Sequence, residues 1–189
     1  VILVGQSSGG GTLSAIAEAE PALIRHLVYQ SAFVQVRFPA IIQYLQEPNF
    51  AASEVPSLFV ADPVAVGAAR MNHDSPDPGY LARLKSCFYH DLSDAAFHAV
   101  AHMLTPDNPL GTLTTPVHLT AGAWGRVPRT FIRCTADRAL PIALQDQMIA
   151  EADAVTPGNR FGQVTLNTGH SPFVSAPADL AAALVSLAA

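Results

Sequence analysis

The stretch Val1-Ile2-Leu3-Val4-Gly5-Gln6-Ser7-Ser8-Gly9-Gly10 decides how this chain is read. Four β-favouring apolar residues run into Gly-x-Ser-x-Gly, and Thr12 to Glu20 follows as helix-forming sequence stopped by Pro21. Three fixed small residues recur by chance in glycine-containing loops, but a strand, a turn and a helix in succession is the setting a nucleophile elbow requires. A serine hydroxyl is a weak nucleophile unless the backbone holds it out of regular structure, and a sharp strand-to-helix turn does so. Gly5 and Gly9 are expected to let strand and helix pass closely. The helix start behind the turn directs free N–H groups at the place where negative charge develops in acyl transfer. Neither Gly-Lys-Ser/Thr nor Gly-x-Gly-x-x-Gly is in register here, which argues against a phosphate loop and a dinucleotide loop.

Composition narrows the class further. With 189 residues, 50% of them hydrophobic and 13% charged, the chain is sized for one domain with a substantial core. A net charge of -5 and ten scattered Lys and Arg residues speak against nucleic acid or an anionic membrane as partner, because both need clustered cations. No apolar run reaches the length of a membrane span, and the first residues lack the charged start and cleavage site of a signal peptide. Cys87 and Cys134 are too few for a disulfide framework and have no close metal-ligand partners. They read as buried thiols in a reducing, cytoplasmic setting; a signal lying upstream of Val1 would change that location.

Strands alternating with helices predict an α/β fold built on a mostly parallel sheet. A second strand is expected within Ile24 to Ser31, others at Pro116 to Thr120, Arg129 to Cys134 and Gly162 to Leu166. Between Val36 and Thr115 no strand alternation is evident. Helical stretches are expected there over Phe38 to Gln46, Pro63 to Met71, Tyr80 to Phe88 and Asp94 to Leu104, and the region reads as an inserted helical cap. Residues 1–35 would then carry the elbow, 36–115 the cap, and 116–189 the rest of the core. Pro141 to Ala152 reads as a helix with proline in its first turn. Ala178 to Ala188 reads as a terminal amphipathic helix with Leu180, Leu184 and Leu187 on one face.

In open α/β sheets the working residues sit on loops at the carboxyl ends of strands. Asp137 and His170 occupy such loops, and the order Ser7, Asp137, His170 is that of a triad in which histidine takes the serine proton and a carboxylate fixes its tautomer. The plainer readings are that Asp137 caps the next helix or pairs with Arg138, and that His170 is a solvated loop histidine. His98 and His102, spaced i, i+4 with His90, Asp91 and Asp94 nearby, have the spacing of metal ligands, but Ala99 stands where a zinc-protease helix carries glutamate. Histidines lining a pocket or facing water are the simpler reading, and no metal is assigned. His26, His73 and His118 have no companions that single them out.

The segments Val1 to Gly10, Leu27 to Phe33, Trp124 to Pro141 and Thr168 to Pro177 resemble bacterial α/β-hydrolases related to plant methyl esterases and hydroxynitrile lyases. The stretch around Asp137 is the most specific part. The resemblance implies the C-terminal, cap-bearing portion of an α/β-hydrolase fold: a serine hydrolase of small carboxylic esters working through an acyl-enzyme, with no cofactor. Ser7, Asp137 and His170 would be its triad and the Ser8 N–H one oxyanion donor. The expected partner is a small-molecule ester, and a homodimer is compatible with the reading. Relatives usually carry histidine where this chain has Gln6, a difference expected to matter little for the chemistry. Their second oxyanion donor lies in a His-Gly loop near the start of the fold, which this sequence does not contain. Hydroxynitrile lyases of this kind carry lysine directly after the catalytic histidine; here that residue is Ser171. The alternatives are a hydroxynitrile lyase-like enzyme, and a non-catalytic protein, either a truncated relative or a pocket protein that binds a small hormone-like ester.

Overall fold

A computed structural model describes residues 1–188. Its central element is a sheet of four parallel strands, β1 (Ile2–Ser7), β2 (His26–Ala32), β5 (Arg129–Cys134) and β6 (Gly162–Leu166), in the order β1-β2-β5-β6. The two inner strands are buried along nearly their whole length, so they carry apolar residues at consecutive positions rather than alternating ones. The edge strands β1 and β6 are only partly covered. The registers run Leu3 to Leu27, Leu27 to Arg129 and Thr130 to Gly162, which aligns the carboxyl ends of all four strands on one side.

Helices α1 (Gly9–Ala19), α7 (Ile142–Val155) and, after the one-turn α8 (Pro172–Ser175), α9 (Pro177–Ala188) accompany the sheet. Their buried positions, Leu13 and Ala17 on α1 and Leu144, Met148 and Ala152 on α7, join Leu27, Tyr29, Phe131, Trp124 and Phe161 in the main core. Leu180, Leu184 and Leu187 are the half-buried positions expected on α9, whereas Val185 faces outward. Arg129 is buried within this core, stacked on the Trp124 and Phe161 rings, and its guanidinium donates to Thr156 Oγ1 and the Asn159 carbonyl. Burial lowers its pKa to about 10.

The chain between β2 and β5 folds as short helices around a second apolar cluster of Leu58, Tyr80, Leu84, Cys87, Tyr89, Phe97 and Ala101. In order these elements are α2 (Ile41–Tyr44), α3 (Pro63–Val66), β3 (Ala68–Arg70), α4 (Pro78–Tyr89), α5 (Asp94–Ala101), β4 (Asp107–Pro109) and α6 (Gly111–Thr114). Helices α4 and α5 match the expected ones. The region is not purely helical, however: the stretch expected as a helix from Pro63 to Met71 stops at Val66, and β3 pairs antiparallel with β4. The bidentate ion pair between Arg70 and Asp107 closes that pairing.

The strand expected over Pro116 to Thr120 does not form. Pro116 has no N–H for a ladder, the Val117 N–H donates to the Pro39 carbonyl, and the Thr120 N–H donates to Glu18. Glu18 also accepts from the Thr120 hydroxyl and the Trp124 N–H, so this stretch is tied as a loop to the end of α1.

Candidate active site

At the tip of β1 the backbone leaves the strand through Ser7, whose φ of +53° is left-handed and uncommon for a residue with a side chain. Ser8 follows as the first turn of α1 begins, and both residues line one cavity. The close approach behind this turn is made by Gly5 and Gly10 and not, as expected from the motif, by Gly9. A Cβ on Gly10 would lie 2.1 Å from the Phe33 carbonyl oxygen, and one on Gly5 would lie 3.0 Å from that of Gly9, whereas one on Gly9 would meet open space.

Asp137 and His170 come together from the ends of β5 and β6. His170 Nδ1 lies 2.7 Å from Asp137 Oδ2, and both side chains are buried. The carboxylate is fully engaged. Its Oδ1 accepts from the backbone N–H groups of Ala139 and Leu140, at 2.7 and 2.8 Å, and its Oδ2 accepts a hydroxyl hydrogen bond from Ser31. Two of the plainer readings give way, since Arg138 turns to Ser86 and His170 is buried rather than solvated, while the Asp137 carboxylate does cap the backbone turn that leads into α7.

Ser31 escaped the sequence reading, although the rule that flagged Asp137 and His170 applies to it. It ends the expected second strand, and it too has a left-handed backbone, φ +39°. Gln30 and Gln145 were also missed. Gln30 donates to the His170 carbonyl at 3.4 Å. From α7, Gln145 accepts from the Cys134 N–H and donates to the Cys134 and Leu140 carbonyls, which holds both ends of the Asp137 loop.

Gln6 is in direct contact with the histidine. Its amide nitrogen lies 2.7 Å from His170 Nε2 and 3.4 Å from the His170 carbonyl. An amide N–H donating to Nε2 while Nδ1–H donates to Asp137 describes a neutral imidazole with its proton on Nδ1. Among the described residues no hydrogen bond joins Ser7 to His170, and no acceptor meets the Ser8 N–H.

The cavity shared by Gln6, Ser7, Ser8 and His170 has a volume of about 440 Å³. Aromatic side chains form much of its wall, among them Phe33, Phe50, Phe59, Phe88 and Tyr89. The Phe88 ring meets the His170 ring edge to face at 5.5 Å. His73 reaches the same wall, and burial pulls its pKa below the usual imidazole value while neighbouring Asp74 opposes the shift.

The other histidines have different partners. His90 Nε2 bonds the Ala136 carbonyl, His98 packs on Phe97, and His102 pairs with Asp74 at 2.5 Å. Among the described residues no group of three metal-ligating side chains converges. No described helix is long and apolar enough to cross a membrane.

Known proteins resemble the chain over nearly its whole length. The chain is 28% identical over 191 residues to a pyrethroid hydrolase of Sphingobium wenxiniae, covering 99% of this chain and 63% of that protein. It is 25% identical over 195 residues to a putative chloroplastic methylesterase of Arabidopsis thaliana, covering 100% of this chain and 52% of that one. The crystal structure of a pyrethroid hydrolase from Sphingobium faniae superposes with a TM-score of 0.77 at 26% identity, over 99% of this chain and 70% of the other. The chain thus spans less than two thirds of the length of these two curated relatives. Residues 1–183 match the model of the alpha/beta hydrolase family, and the chain belongs to that family.

Proposed function

We propose that this protein hydrolyses small carboxylic esters through an acyl-enzyme, with Ser7 as nucleophile, His170 as general base and Asp137 as the group that orients it. The observation that carries the reading is the buried Asp137–His170 pair, whose Nε2 and the Ser7 elbow border the same cavity. The names of the two curated relatives, a pyrethroid hydrolase and a methylesterase, support the same reaction class.

In the reaction the Ser7 hydroxyl proton passes to His170 Nε2 as Oγ bonds to the ester carbonyl carbon, and the carbonyl oxygen becomes an oxyanion. The Ser8 N–H, without an acceptor among the described residues, stands at the start of α1 as a donor to that oxyanion. The imidazolium returns its proton to the departing alcohol, and water, activated by the same Nε2, releases the acid. Asp137 stabilises the imidazolium while its remaining oxygen stays bound by Ala139 and Leu140. Since Gln6 holds Nε2 at rest, its amide has to yield that lone pair before Ser7 is deprotonated. The segment between β2 and β5 acts as a cap, and its aromatic wall suits an ester with an apolar acyl or alcohol group. Ser171 beside the base supplies no cation for a departing cyanide, so hydrolysis is favoured over cyanohydrin cleavage.

The decisive experiment is labelling of the full-length protein with a fluorophosphonate, followed by peptide mapping and assay on aryl and methyl esters. Adduct on Ser7 with matching loss of ester hydrolysis is expected. Adduct on another residue, or cyanide release from mandelonitrile that is lost in Ser7→Ala, would overturn the assignment.

A further inference from the structure

The carboxyl end of α4 meets both loops that carry the acid and the base. From that end His90 donates its Nε2–H to the Ala136 carbonyl, at 2.9 Å, one residue before Asp137. The next residue, Asp91, accepts the Gly169 N–H on Oδ2, also at 2.9 Å, one residue before His170. The contact is close: a side chain at position 169 would require the His90 ring to shift. A Cβ there would lie 2.9 Å from His90 Nε2 and 3.4 Å from Asp91 Oδ1. One turn of chain thus grips two strand-end loops at equivalent places.

The same segment faces the cavity. Phe88, two residues before His90, lines it and packs its ring against His170, and Tyr89 beside it lines the cavity while belonging to the apolar cluster between β2 and β5. Ala139, two residues past Asp137, is buried in that cluster as well. Its carbonyl accepts from the Ser53 hydroxyl, and the Arg138 carbonyl accepts from the Glu54 N–H. The Asp137 loop is therefore packed against the intervening segment on one side and the sheet on the other.

We propose that His90 and Asp91 are positioning residues, which hold Asp137 and His170 in register from the cap, so that seating of the cap and alignment of the base are one event. This rests on the reading of Asp137 and His170 as acid and base. The physical reason is leverage: the Ala136 N–H already bonds the Thr168 carbonyl from one loop to the other, and the tether adds a hold on each loop at the residue next to the acid or the base. A displacement of about 1 Å at a reacting group can cost on the order of 100-fold in rate. Substrate pressing on Phe88 and Tyr89 would act on the same turn of chain that carries the tether, so occupancy of the cavity and alignment of His170 are coupled.

The test uses four variants of the full-length protein: His90→Ala and Asp91→Ala, which remove the donor and the acceptor, and His90→Gln and Asp91→Asn, which retain them. The alanine variants are expected to lower kcat about 10- to 100-fold with KM changed less than about threefold. The conservative pair should restore most of the loss. Independently of turnover, the downfield proton resonance of His170 Nδ1–H should shift or broaden in the alanine variants and return in the conservative ones. Unchanged kcat with an unchanged resonance overturns the proposal, as does a loss in kcat that the conservative variants share. If Ser7 takes no fluorophosphonate while the resonance still responds to His90 and Asp91, the esterase reading fails and the tether survives.

Discussion

The amide nitrogen of Gln6 sits 2.7 Å from His170 Nε2, on the lone pair that a serine nucleophile needs. The same amide reaches the His170 carbonyl, and Gln30, its cross-strand neighbour in the sheet, reaches that carbonyl too. Two glutamines at adjacent strand ends therefore fix the histidine loop, and one of them also occupies the ring. The arrangement makes Gln6 a competitor of Ser7 for the base.

Replacing Gln6 with leucine keeps the bulk and removes the amide. A hydrogen bond contributes about 0.5–1.5 kcal/mol net, so freeing Nε2 should speed fluorophosphonate labelling of Ser7 by about two- to tenfold. Labelling rates measured by stopped incubation decide it, and a rate equal to or below that of the parent would show that the amide does not compete.

Residues of a triad act as a unit, so Ser7→Ala and His170→Ala should each lower ester hydrolysis by a factor on the order of 10⁶. Asp137→Asn should cost on the order of 10⁴, through the wrong histidine tautomer. Circular dichroism and steady-state assay of the three variants suffice; substantial turnover by Ser7→Ala sinks the serine mechanism.

The two glycines after the elbow should respond oppositely to alanine. Gly10→Ala drives a methyl into the Phe33 carbonyl, where neither backbone can yield without opening the α1–β2 contact, and a loss of about 3 kcal/mol or more is expected. Gly9→Ala meets open space in the first turn of α1 and should be neutral or stabilising by up to about 1 kcal/mol. Thermal melts of both variants give the answer, and equal effects would refute the packing argument.

Glu18 links stability to pH. Burial by itself would raise its pKa, but the hydrogen bonds from Thr120 and Trp124 outweigh that and hold the carboxyl below its ordinary value. A depressed folded-state pKa means that the contribution is complete above the ordinary carboxylate value and is lost as pH falls through the folded one. Glu18→Gln should therefore melt lower than the parent near neutrality and converge with it in acid. A gap in Tm that stays constant as the pH is lowered would contradict this.

In the 189-residue chain β1 is an edge strand, and Val1 and Val4 are largely exposed, with Ile16 of α1 partly so. Unpaired N–H and C=O groups beside an apolar surface are a template for strand pairing between molecules. The 189-residue chain should self-associate through this edge, and Val4→Lys should reduce the association. Light scattering checks it; a monodisperse parent would refute the expectation.

The sequence alone determined the features that rest on local chemistry. Four apolar residues before Gly-x-Ser-x-Gly specify a strand and a turn, a serine held out at that turn follows from the geometry, and Asp137 and His170 stand out because each sits in the loop that follows an expected strand. These signals survive in one dimension because strand, turn and helix preferences act over a few residues. The tertiary structure decided what reaches those residues. Gln6 meets His170 across 164 positions and Ser31 meets Asp137 across 106, and no periodicity connects them. The same holds for His90 and Asp91, which stood out in sequence only as neighbours of the His98 and His102 pair and whose contacts are with two backbone loops. Where the chain was misread, a distant partner had overridden a local preference. Pro116 to Thr120 is β-favouring, yet Glu18 and Pro39 take its hydrogen-bonding groups, and Gly10 rather than Gly9 is the tight glycine because β2 passes behind it.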